Sequence, residues 1–314
     1  MRFARGFRAW SRSRVGAAVA GTAAAVLLAA CGNAPDANVA ANSSEGDLFA
    51  QLPSTTAPPT TETTAPPTTT SAPASTTSKA AAAGTRADRP AASRGSGSDG
   101  PGHGWRKVAG DEFNGASLDQ SVWTAYNSKG GFGNGYRKPE AVSLGDGVLR
   151  ITARGDVSGG IRHNFGQTYG RWEFRARTDP GRGFGSAILL WPDSEKWPDD
   201  GEIDIMEVPG ENRDVAHFVL HMGPENRLHG TNIRGTFSRW HTFAVEWLPD
   251  RITWYVDGVK RYENTDKKMI PTKPMHLTIQ LDQGPYKNWI PAPDETTPPE
   301  LSLEVDWVRV YAPA

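Results

Sequence analysis

From Trp105 onward the chain is written in short alternating stretches of seven to nine residues separated by Gly, Pro, Asn and Asp, a texture that few folds can satisfy. In RITWYVDG, residues 251–258, the side chains of Ile252, Trp254 and Val256 fall on one face of an extended strand, and Asp257-Gly258 then supplies a hairpin turn. The stretches at 147–153, 171–178, 241–248 and 303–311 read the same way. No window of ten or more residues keeps a helical period with capping residues. About 210 residues of short strands and frequent turns predict an all-β fold, a sandwich or jelly roll of two antiparallel sheets.

The first hundred residues cannot join that fold. Ten of the eleven Trp and all seven Tyr follow residue 103, so the residues able to build a core, or a surface on which sugars stack, are confined to the C-terminal two thirds. Between Gly32 and Gly104 the chain is mainly Ala, Thr, Ser, Pro and Gly, which bury too little surface to offset the entropy of ordering them. That segment is read as a disordered spacer with a root-mean-square reach of ~45 Å, either a plain linker or an O-glycosylated stalk.

Ahead of it lie five Arg without an acid in residues 1–30, then an apolar run from Val15 to Leu28 that falls short of the ~20 residues of a membrane-spanning helix. The run ends in Leu28-Ala29-Ala30-Cys31, which resembles a bacterial lipobox, and Cys31 is the sole cysteine. An incidental thiol is the competing reading. The expected organisation is a lipoprotein signal peptide at 1–30, a linker at 31–104 lipidated at Cys31, and a folded domain at 105–314. Such a protein would be exported and lipid-anchored to the outer face of the cell membrane or envelope, touching membrane through the anchor alone. Removing the five leader arginines takes the formal charge from −1 to −6, which argues against nucleic acid as a partner. A monomer is expected.

One segment carries chemistry. In WPDDGEIDIMEVPG, residues 197–210, strict alternation puts Glu202, Asp204 and Met206 on one face of a strand and Ile203 and Ile205 on the other, leaving Glu207 on the wrong side. A β-bulge near Ile205-Met206 would return Glu207 to the face of Glu202 and Asp204. Paired carboxyls ~5 to 5.5 Å apart serve a retaining glycosidase and ~6.5 to 9.5 Å an inverting one, and spacing along the chain does not choose between them. Crowding raises the pKa of one carboxyl, so Glu207 as protonated acid, Glu202 as ionised nucleophile and Asp204 as the hydrogen-bonding group between them form a coherent set. A solvated acidic face and a Ca²⁺ site are the alternatives.

Glu202-Ile203-Asp204-Ile205-Met206-Glu207 matches in full the E-[IL]-D-[IV]-M-E pattern of laminarinase-like members of glycoside hydrolase family 16, which the chain resembles across residues 105–314. GDEFNG at 110–115, YGRWEFRAR at 169–177, WYVDG at 254–258 and VDWVRVY at 305–311 follow in the expected order. The resemblance implies a concanavalin-like jelly roll with a concave substrate cleft, and an endo-acting, retaining hydrolase of β-linked polysaccharide that needs no cofactor for catalysis. It makes Glu202 the nucleophile, Glu207 the acid/base and Asp204 their partner. It also implies a cleft His at His221, sugar-stacking Trp at Trp191 and Trp197, a cleft Asn at Asn134, and a structural calcium held by Glu112, the Gly147 carbonyl and Asp306. Where laminarinase-like members carry Asn-Leu-Ala-Val-Gly-Gly, this chain has Ile279-Gln280-Leu281-Asp282-Gln283-Gly284. That departure leaves β-1,3-glucan, mixed-linkage glucan and galactan open. A non-catalytic carbohydrate-binding protein and a wall transglycosylase are the rival functions on this fold.

Overall fold

A computed structural model describes residues 54–55 and 104–314 of the protein. The chain runs through β1 (Ser54–Thr55), β2 (Trp105–Asp111), β3 (Trp123–Ala125), β4 (Ser128–Lys129), β5 (Tyr136–Arg137), β6 (Val142–Gly145), β7 (Val148–Ala153) and β8 (Val157–Gln167). It continues through β9 (Gly170–Thr178), β10 (Phe184–Pro192), β11 (Glu202–Val208), β12 (Val215–Met222) and β13 (Arg227–Arg234). The last five strands are β14 (His241–Leu248), β15 (Arg251–Val256), β16 (Val259–Asn264), β17 (Met275–Gln283) and β18 (Leu301–Pro313). Among the described residues the only helices are two short 3₁₀ turns, Pro139–Ala141 and Lys267–Met269.

Two sheets result. One has the order β1-β13-β12-β11-β10-β17-β8-β5-β4 with β3 also on β8, and the other β16-β15-β14-β9-β18-β7-β6 with β2 also on β18. This is the expected jelly-roll sandwich. Its pairings are antiparallel except for β1 with β13 and β5 with β8. The leader, Cys31 and nearly all of the 31–104 spacer lie outside the described residues; within the spacer, Ser54 and Thr55 pair with Asn232 and Ile233 on β13.

The core sits between the sheets and comes from alternate residues of both. Ile203, Phe218, Leu277 and Ile279 from the first sheet meet Trp172, Phe174, Val245 and Trp254 from the second, all fully or almost fully buried. Burying such side chains is worth ~1.5 to 3 kcal/mol each, which is what fixes strand register here. The β15–β16 hairpin closes as its sequence requires, with φ of 51° at Asp257 and 76° at Gly258, both in the left-handed region. The face of the first sheet turned away from this core is left for polar work.

Candidate active site

The polar face is organised by an irregularity in β11. Ile188 on β10 pairs with Met206 but the next residue, Leu189, pairs with Asp204, so Ile205 is an extra residue in the strand. The ladder to β12 shifts at the same point, between Asp204 and Glu207. Ile205 and Met206 are therefore consecutive yet both lie in the core, with Ile203 before and Val208 after them. Phase is reversed beyond the bulge, and Glu207 joins Glu202 and Asp204 on the open face. Across to β12 the partners are His221 for Glu202, Val219 for Asp204 and His217 for Glu207.

Each acid has a distinct setting. Glu202 is 2% exposed and its Oε2 accepts a hydrogen bond from Trp197 Nε1 at 2.6 Å. Asp204 is 1% exposed, and neither side-chain oxygen accepts a well-formed hydrogen bond from a described residue. His221 Nε2 lies 3.5 Å from Asp204 Oδ2, an ion-pair contact at the outer limit of hydrogen bonding. Asp204 is fixed from its backbone instead, where its carbonyl accepts from Trp254 Nε1 at 2.8 Å. His221 Nδ1 meets Asn226 Oδ1 at 2.8 Å. Burial works against charge on His221, but the contact with Asp204 and the attraction of Glu202 and Asp204 outweigh it and push its pKa up to about 10. Glu207 is more open, and its surroundings are Phe132, Ala187, Gln280, Asp282 and Trp289, which share a small pocket with it.

The two ends of these strands bear opposing walls. On the Glu202 side Trp191 and Trp197 stack with ring centroids 6.0 Å apart and planes at 12°, and Trp197 also meets His221 at 5.9 Å. Trp191 is 6% exposed and its Nε1 donates to Glu195 at 2.9 Å. On the Glu207 side Phe132 stacks on Tyr286 at 4.1 Å, and the Asn134 side-chain amide donates to the Pro285 carbonyl at 2.8 Å. Asn134 thus ties the 130–135 loop to the 284–290 loop. Beneath it Asp282 accepts from Arg137 and from the Gly131 N–H at 2.9 Å, a buried ion pair that holds the same loop. Groove floor and walls together make a cleft that crosses the strands.

Three features here escape the sequence. His217 faces Glu207 across the ladder and packs edge-on against Trp289 at 4.4 Å. Its spacing of four residues from His221, even and so on one strand face, was the available signal. His276, beside Trp191 on β17, is buried and meets Asp193 through Nδ1 at 2.7 Å. Arg137 and Asp282 are 145 residues apart and no local pattern joins them.

The calcium positions have other partners. Glu112 accepts from Arg309 Nε and Nη2 at 2.9 and 3.0 Å, and Asp306 Oδ2 accepts from Arg175 at 2.7 Å. Gly147, at φ 71°, occupies the turn between β6 and β7. With each carboxylate already neutralised by a guanidinium, this donor set does not fit a Ca²⁺ ion.

Comparison with known proteins agrees with this geometry. The family model for glycosyl hydrolases family 16 matches residues 132–309. A beta-glucanase of Rhodothermus marinus is 33% identical over 244 residues, covering 66% of this chain and 85% of that one. A glucan endo-1,3-beta-glucosidase A1 of Niallia circulans is 29% identical over 252 residues, covering 64% of this chain but 37% of its own length. Among solved structures, the catalytic domain of an endo-1,3-beta-glucanase from Thermotoga petrophila superposes with a TM-score of 0.62 at 26% identity, covering 67% of this chain and 98% of that one. With its bulged acidic strand set in a two-sheet sandwich, the chain belongs to family 16 of the glycosyl hydrolases.

Proposed function

We propose that this family-16 hydrolase cuts within β-linked glucan chains by double displacement, with Glu202 as nucleophile and Glu207 as acid and then base. The observation that carries the reading is the bulge at Ile205, which puts both glutamates and Asp204 on one face of one groove. In the first step Glu207 gives its proton to the glycosidic oxygen as the C1–O bond breaks and a Glu202 carboxylate oxygen bonds C1. In the second, Glu207 takes a proton from water, the water oxygen bonds C1, and Glu202 leaves as carboxylate. The Trp197 N–H on Glu202 and the His221 cation beside Asp204 favour an ionised Glu202. Trp191, Trp197 and His221 form the sugar-facing wall on that side, with Asn134 bracing the opposite one.

The relatives' names, beta-glucanase and glucan endo-1,3-beta-glucosidase, support a β-1,3- or mixed-linkage glucan as substrate. We further take the protein to be an exported monomer anchored by a lipid on Cys31, on the strength of the leader and lipobox pattern in the sequence.

The test is to follow laminarin and mixed-linkage β-glucan hydrolysis by proton NMR. The first product should be the β-anomer, and Glu202→Gln and Glu207→Gln should each lower kcat by about 10²-fold or more. An α-anomer as first product, or full turnover in either variant, would sink the assignment.

A further inference from the structure

Arg162 lies on the cleft floor and is the feature there that catalysis does not use. On β8 it pairs with Thr278 of β17 on one side and Thr124 of β3 on the other, in the row that continues through Leu189 to Asp204. Its sequence neighbours Ile161 and His163 turn inward, where Ile161 is fully buried and His163 packs on Trp123, so Arg162 faces the cleft. Three strand spacings separate it from β11, about 14 Å at ~4.8 Å each. Arg162 is half-buried, and among the described residues its guanidinium has neither an ion-pair nor a hydrogen-bond partner.

Its neighbours are already committed. Thr278 Oγ1 is shared with Tyr126 OH at 3.2 Å, and Thr124 Oγ1 donates to Asn164 at 2.7 Å. On the rim, Asp193 is taken by His276 and Glu195 by Trp191 Nε1. Arg137, the other arginine on this part of the sheet, is buried against Asp282. Tyr126 lies over Gly160, where a Cβ would come within 2.6 Å of the ring, and its ring also carries the Arg137 guanidinium at 5.3 Å. An arginine left unneutralised on the cleft floor is matched by an anion on the ligand, because the planar fork pairs bidentately with carboxylate or sulfate oxygens.

We propose that Arg162 binds an anionic substituent, a carboxylate or a sulfate ester, on a sugar unit held away from the cleavage point. The proposal rests on the reading above that this face holds a β-linked polysaccharide, and it narrows that substrate to one carrying acidic groups.

Three forms of one β-glucan separate the possibilities: the neutral parent, a form oxidised to carboxylate at C6, and a sulfated form. The full chain and its Arg162→Gln and Arg162→Lys variants are compared on each by retention in affinity gel electrophoresis and by kcat/KM. Wild type should prefer at least one anionic form, and the arm that responds identifies carboxylate or sulfate. Arg162→Gln should lower the anionic-to-neutral ratio by about tenfold, with Arg162→Lys in between and the preference fading as salt rises. The proposal is overturned if wild type shows no preference for either anionic form, or if Arg162→Gln weakens all three equally. Arg162-dependent retention of an anionic form without cleavage of any of the three would uphold the proposal and remove the hydrolase reading instead.

Discussion

His217 and His221 stand four residues apart on β12, face the same cleft, and differ in charge through the neutral range. Burial lowers the His217 pKa to about 4, whereas His221, buried beside Glu202 and Asp204, is raised to about 10. The half of β11 that carries Glu202 therefore meets a cation, and the half that carries Glu207 meets an uncharged ring. Double displacement asks for that asymmetry, an ionised carboxylate at one position and a protonated one at the other.

His217 sets an acid limit on stability. Its folded pKa lies below the ordinary 6.5, so as pH falls from about 6.5 toward 4 the unfolded chain takes up a proton that the native protein does not. The loss amounts to about 3 kcal/mol by pH 4. In His217→Phe, which keeps an aromatic contact with Trp289, the drop in unfolding free energy between pH 7.5 and 4.5 should shrink by about 2 kcal/mol. An unchanged drop in urea titrations at the two pH values would refute the assignment.

His221 sets the alkaline limit, with the opposite sign. Its folded pKa is raised, so its contribution is complete below about 6.5 and is lost as pH rises through about 10. His221→Gln leaves the carboxylates of Glu202 and Asp204 buried without their cation and should cost about 3 kcal/mol or more at pH 7. The gap in melting temperature between variant and wild type should close between pH 8 and 10.5, about where the wild-type imidazolium deprotonates. A gap that stays constant over that range would show that the charge is not what stabilises.

Arg137 and Asp282 behave as one unit. Both are almost fully buried, and Asp282 also accepts the Gly131 N–H. Asp282→Ala strands a buried guanidinium and should cost about 3 to 5 kcal/mol, while the apolar pair Arg137→Met with Asp282→Leu should recover most of that loss. Urea midpoints for the single and double variants decide the matter. A single-variant cost below about 1 kcal/mol would mean that water already reaches the pair.

How far the sequence disclosed this molecule can be traced residue by residue. The hairpin at Asp257-Gly258 and the inward face of Ile252, Trp254 and Val256 were legible because alternation and turn chemistry are local. The bulge was legible because three carboxylates in six residues make sense as one site only if strict alternation fails between Asp204 and Glu207. Trp191 and Trp197 were expected to stack on sugar, and their mutual stacking and the tie from Trp191 to Glu195 depend on a loop whose course no periodicity describes. Asn134 was expected as a cleft residue, and its hydrogen bond to the Pro285 carbonyl on the opposite loop is a contact that no local pattern discloses. Arg137 with Asp282 and Arg309 with Glu112 join residues more than a hundred positions apart, so only the folded sheets bring them together.

The extra residue at Ile205 also makes β11 a strand with a change of parity. Before it, even-numbered residues (202, 204) look to the cleft; after it, the odd-numbered 207 does, while 206 and 208 are core. A one-residue slip against β10 cannot satisfy both halves together, because correcting one half would drive carboxylates of the other between the sheets. The strand therefore has a single phase, and the distance between the two glutamates is guarded by the packing of Ile205 and Met206 rather than by any contact between the acids themselves.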